Sequence, residues 1–157
     1  MTGMLVKICG ITDIETARAA VSLGADMLGF HVELEHSRNP LTAQKASEII
    51  SQLPADCSAV LVTSATDSEK IVQLANMTGV NAVQLHGDMS EMSKLKSELP
   101  NIKLYKVVNV SDGSAIEEAK RYEGIADALV LDSAIKETGQ RGGTGKTHDW
   151  NISRKIV

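Results

Sequence analysis

The feature that most constrains this chain is a regular alternation of short apolar runs with longer amphipathic ones. Leu5–Cys9, Met27–Phe30, Ser58–Val62, Ala82–Leu85, Lys103–Val108 and Ala128–Leu131 read as strands. Between them, Ile14–Leu23, Thr42–Leu53, Ser68–Met77, Ser90–Leu99 and Ser114–Tyr122 carry apolar residues at helical spacing, and a last helix begins near Asp149. Asp13 is placed to cap the first helix and Gly24 to close it, while Pro54 and Pro100 stop two others. The C-terminal strand ends at Cys9, Phe30, Val62, Leu85, Val108 and Leu131 follow one another at 21, 32, 23, 23 and 23 residues. A helix-to-strand junction recurs as Gly24-Ala25-Asp26, Gly79-Val80-Asn81 and Gly124-Ile125-Ala126-Asp127. This is the pattern of βα units on a parallel sheet. It leaves two closures open, a doubly wound sheet or a (β/α)8 barrel.

Composition narrows the class. At 157 residues and 43% hydrophobic content the chain can bury a core, and 23% charged residues with a net charge of -4 fit neither a disordered tail nor a polycation for nucleic acid. No apolar run approaches the ~18 residues of a membrane span, and Lys7 interrupts any signal-peptide core. Two cysteines, Cys9 and Cys57, make no disulfide framework, and no Cys/His cluster has zinc spacing. One Phe, one Trp and two Tyr offer few stacking platforms for single strands. The expectation is a soluble, cytoplasmic domain with no zinc site and no nucleic-acid or membrane partner.

In either closure the chemistry gathers where strands end. Cys9 ends the first strand, Arg38 lies in the loop after the second, His86 follows the fourth and Asp132 ends the sixth. Singly, each has an ordinary explanation: a buried thiol, a solvated charge, a turn residue. Together, at the same end of successive strands, they mark a site. The stretch Gly139 to Thr147 looks like a phosphate-binding P-loop but carries Gln140 where that pattern needs glycine, and it starts some eight residues past the strand. It reads better as a glycine-rich flap or anion-contacting turn.

Lys7-Ile8-Cys9-Gly10-Ile11-Thr12, Gly24-Ala25-Asp26 with Leu28-Gly29-Phe30, Gln84-Leu85-His86-Gly87, and Leu131-Asp132 with Gly142-Gly143-Thr144-Gly145-Lys146-Thr147 and Asp149-Trp150 resemble the phosphoribosylanthranilate isomerase family. The resemblance runs over essentially the whole chain. It implies a TIM-barrel-type (β/α)8 fold, a single domain over residues 1–157, and a cofactor-free Amadori rearrangement of a phosphorylated sugar in tryptophan biosynthesis. It also implies that Cys9 is the general base and Asp132 the general acid, and that Arg38 pairs with the anthranilate carboxylate. By the same resemblance His86 lines the substrate site, and Gly142 and Gly143 contact the substrate.

The chain departs from the family in three places. Its second strand is followed by His36-Ser37-Arg38-Asn39-Pro40 where Ser-Pro-Arg is usual, and His31-Val32-Glu33-Leu34-Glu35 replaces a more apolar stretch. Leu61-Val62-Thr63-Ser64 stands where an aromatic residue and an asparagine are common. The chain stops at Ile156-Val157 after about six units, so the expectation is a barrel lacking its seventh and eighth βα units. Open strand edges would then favour self-association. A non-catalytic or truncated homologue, or a paralogue for another sugar phosphate, is the competing reading.

Overall fold

A computed structural model describes residues 3–135, 140–141 and 147–157. The chain divides into two compact units, Met1–Leu104 and Tyr105–Val157.

The first unit contains β1 (Lys7–Cys9), α1 (Ile14–Ser22), β2 (Met27–Val32), β3 (Pro40–Leu41), α2 (Ala43–Ile50), β4 (Ser58–Thr63), α3 (Ser68–Thr78), β5 (Ala82–Leu85) and α4 (Met92–Glu98). Its strands pair in parallel in the order β1-β2-β4-β5, with the two-residue β3 added beside the end of β2. Strands that neighbour each other in chain order, joined by right-handed crossovers, put all connecting helices on one face of the sheet.

That face is apolar. Leu28, Phe30, Val32, Ala59, Leu61, Val83 and Leu85 are buried on it, and each large side chain contributes about 1.5–3 kcal/mol through removal from water. The opposite face follows from the register Lys7↔Met27, Cys9↔Gly29↔Val60↔Ala82 and His31↔Val62↔Gln84. Side chains alternate along a strand, so Lys7, Cys9, His31 and Gln84 share this second face, with Val60 and Val62 between them. One side of the sheet packs apolar side chains, and the other gathers Lys7, Cys9, His31 and Gln84.

The helices start where their caps dictate. Asp13, Thr42 and Asp67 each accept a backbone N–H three residues on. At the end of α1, Gly24 adopts φ +95°, its N–H donates to Val21 O, and that of Ala25 donates to Ala20 O. Those two bonds satisfy carbonyls the helix end would otherwise leave orphaned. α2 stops at Ile50 rather than Leu53, because Gln52 and Leu53 bond back only three residues, to Ile49 and Ile50, in a tightened last turn.

The second unit starts within β6 (Lys103–Val110), at Tyr105, and continues through α5 (Ser114–Lys120), β7 (Ala128–Ile135), β8 (Gln140–Arg141) and α6 (Trp150–Ile156). β6 and β7 run parallel from Tyr105↔Ala128 to Val110↔Ser133, and β8 pairs antiparallel with the end of β7. Val108, Val110, Ala115 and Ala119 form a core against which Leu129, Leu131, Ile152 and Ile156 pack. Asp149 caps α6 as its position suggests. Among the described residues no helix is long and apolar enough to cross a membrane.

Candidate active site

The polar face of the first unit is organised around the end of β1. Cys9 is exposed there, and its Sγ lies 3.2 Å from Nε2 of His31 on the neighbouring strand. The other ring nitrogen, Nδ1, is 2.8 Å from Ser37 Oγ, which also accepts the N–H of Asn39 at 3.1 Å. Ser37 can reach back because Glu33 and His36 take left-handed backbone conformations, φ 49° and 58°, and fold the loop after β2. Gly29 lies directly across the ladder from Cys9, and an ideal Cβ on it would stand 2.5 Å from Sγ. Glycine is the residue that lets the thiol sit there.

A second chain of contacts runs over the same face. Lys7 Nζ donates to Gln84 Oε1, which fixes the amide so that Gln84 Nε2 donates to His86 Nε2 at 3.1 Å. That nitrogen of His86 therefore carries no proton. The His86 backbone N–H bonds Thr63 O, tying the segment after β5 to the end of β4.

Electrostatics follow from partial desolvation and one lysine. Desolvation pushes the Cys9 thiol above its ordinary range, against the opposing pull of the Lys7 charge and the Gly10 N–H. Desolvation lowers the His31 imidazole, and Lys7 lowers it further. Burial likewise lowers Lys7 itself, with Cys9 acting the other way. The resting pair is thus a thiol beside a neutral imidazole.

Arg38 is exposed in the loop that carries Ser37 and has no carboxylate partner among the described residues. Of the two carboxylates that the altered loop adds, Glu33 is taken up by Lys70 Nζ at 2.9 Å, while Glu35 stays exposed. Asp132 belongs to the second unit, half-buried, with Oδ1 accepting the N–H of Ser133 at 2.8 Å. It lies inside β7 rather than at its end, because pairing with β8 extends the strand to Ile135. Across the register from it stands Asn109, whose buried Oδ1 has no hydrogen-bond partner among the described residues. Gly142 and Gly143 lie outside the described residues.

Sequence reasoning singled out Cys9, Arg38, His86 and Asp132 but gave no role to Lys7, His31, Ser37, Gln84 or Asn109. A signal existed for two of them. Lys7 is two residues from Cys9 on its own strand, and His31 stands where the stretch is usually apolar, a polar residue in a strand that otherwise reads Met-Leu-Gly-Phe.

Comparison with known proteins agrees with this architecture. The family described as N-(5'phosphoribosyl)anthranilate (PRA) isomerase matches residues 6–157. An N-(5'-phosphoribosyl)anthranilate isomerase of Methanocella arvoryzae is 39% identical, over 97% of this chain and 71% of that protein. The crystal structure of the phosphoribosyl anthranilate isomerase from Thermotoga maritima superposes with a TM-score of 0.80 at 34% identity, covering 96% of this chain and 70% of that one. A second solved isomerase, in complex with reduced 1-(o-carboxyphenylamino)-1-deoxyribulose 5-phosphate, has a TM-score of 0.74 at 33% identity, over 84% of this chain and 66% of that one. The βα units are therefore those of a (β/α)8 TIM-type fold, and this chain belongs to the N-(5'-phosphoribosyl)anthranilate isomerase family.

Proposed function

We infer that this protein converts N-(5-phosphoribosyl)anthranilate to 1-(2-carboxyphenylamino)-1-deoxyribulose 5-phosphate, an Amadori step of tryptophan biosynthesis carried out in the cytoplasm. Family membership carries the reading, and the residue types at two positions support its chemistry. Asp132 delivers a proton to the furanose ring oxygen as the C1′–O bond breaks and the anthranilate nitrogen forms C1′=N. Cys9 then removes the C2′ proton to give the enolamine, which ketonises to product. Arg38 offers a planar fork to the anthranilate carboxylate. His86 lines the substrate site. Gly142 and Gly143 belong to the substrate-binding set, as residues of a glycine-rich turn.

The solved relative holding a phosphorylated analogue supports a small phosphorylated ligand here too. Exposed Ile8 in β1, an edge strand among the described residues, and exposed Val6 just before it support self-association of this chain, which light scattering of the purified protein measures directly.

The test is a pair of isosteric variants in the full-length gene product. Cys9→Ser and Asp132→Asn should each lower kcat by at least about 10²-fold with unchanged circular dichroism, as loss of a positioned base or acid does. Anthranilate fluorescence follows turnover. Near-normal rates in both variants would sink the assignment.

A further inference from the structure

We propose that His31 takes the thiol proton of Cys9 during turnover, so that sulfur and imidazole act on the substrate as one base. The inference rests on the reading of Cys9 given above and assigns a positioning and proton-accepting role that the reading lacks.

A general base must be able to accept a proton, and partial desolvation favours the thiol form of Cys9, which cannot. Lys7 and the Gly10 N–H oppose that effect without reversing it. The structure supplies what is missing at 3.2 Å: Nε2 of His31, facing Sγ. Its ring is held from behind, because Nδ1 meets Ser37 Oγ at 2.8 Å and donates to it when Nε2 is the acceptor. An imidazole anchored this way presents one lone pair in one direction, toward the sulfur. Desolvation keeps that lone pair available, since it disfavours the imidazolium in the resting protein.

The step balances. The C2′–H bond breaks and its proton goes to sulfur. The electron pair it leaves forms C1′=C2′, and the π pair of C1′=N returns to nitrogen. The proton that sulfur already held passes to Nε2, so a neutral thiol and an imidazolium stand where a thiol and a neutral imidazole stood. The cation lost from the iminium reappears on His31, and no oxidant or metal is needed.

The charged and titratable groups around the pair are few. β1 brings Lys7, which lowers both Cys9 and His31. β4 brings Ser58, Val60 and Val62 to this face, none of them charged or titratable. From β5 and its following segment come Gln84 and His86, bonded to each other. The loop after β2 brings Ser37 and Asn39, with His36 and Arg38 exposed and Glu33 held by Lys70.

The experiment uses this protein in a Cys57→Ala background, with peptide mass spectrometry following iodoacetamide alkylation at Cys9 itself. The alkylation rate without substrate and kcat/KM with substrate are each measured from pH 5 to 10. With His31 present, both profiles should share an acid limb below the ordinary imidazole value of about 6.5. In His31→Asn both limbs should move above the ordinary thiol value of about 8.5, and kcat at pH 7 should fall about 10²-fold with KM little changed. Ser37→Ala, which keeps the imidazole and removes its anchor, should shift both limbs part of the way. Identical limbs in the parent and His31→Asn would overturn the pairing while leaving Cys9 as base. Retained turnover in Cys9→Ser would overturn the base assignment itself, whatever the alkylation profile shows.

Discussion

Cys9 and Gly29 face each other across the β1–β2 ladder so closely that a methyl group on Gly29 would lie 2.5 Å from the sulfur and 3.3 Å from Val62 Cγ2. The thiol occupies the space a side chain would fill. Gly29→Ala should therefore push Cys9 out of line with His31. We expect at least about a tenfold loss of kcat, and about 1–3 kcal/mol of stability lost to overpacking. Turnover and urea unfolding of the same sample separate the two effects. Unchanged kcat would mean the position of the sulfur has slack.

Arg38 should act on binding and not on the chemical step. Arg38→Ala should raise KM by about 10- to 100-fold, the worth of a charge-assisted hydrogen bond, with kcat nearly unchanged. Arg38→Lys should recover little of it, because an ammonium cannot make the paired contact of a guanidinium. A fall in kcat alone would place Arg38 elsewhere in the reaction.

Cys57 is the control thiol. It is buried just before β4, at the opposite end of the sheet from Cys9. Burial first, then Asp56 and Asp26, push its thiol up. A thiol raised on folding favours the native state below the unfolded value of about 8.5 and loses that contribution as pH climbs through the higher native value. Cys57→Ala should keep full activity, cost about 0.5–3 kcal/mol at neutral pH, and flatten the alkaline decline in stability. Unfolding midpoints at pH 7 and pH 10 read both. A large loss of activity would contradict the strand directions.

Gln84 should matter to both halves of the polar chain. Gln84→Leu removes the acceptor of the partly desolvated Lys7 ammonium and the donor to His86 Nε2. A loss of about 1–3 kcal/mol in chemical denaturation is expected from an ammonium left without its partner. A neutral result would mean that Lys7 finds water instead.

The local rules in the chain were legible, and the structure keeps them. Asp13 and Asp149 cap their helices, Thr42 turns out to cap the helix it was read as opening, and Gly24 and Gly79 end helices in left-handed conformations. These succeed because a cap or a positive φ is settled within four residues of chain. Boundaries set by distant partners were less legible. β2 runs to Val32 because Pro40 and Leu41 pair beside it, and β7 runs to Ile135 because Gln140 and Arg141 do. No periodicity within a strand announces such a partner.

The same division holds at the site. The sequence by itself determined that a thiol would stand where the first strand ends and a carboxylate near the end of the sixth, since the period of the βα unit fixes those places. Only the tertiary structure decided what stands beside the thiol. Cys9 and His31 are 22 residues apart, and they meet because parallel pairing sets Lys7 against Met27 and so carries Cys9 to Gly29, one step short of His31 on the same face. Register is a property of two strands together, and a shift of one residue would have turned His31 toward the apolar face. The missing side chain of Gly29 has the same origin: in the sequence it is one glycine in a strand, and across the ladder it is the room the sulfur needs.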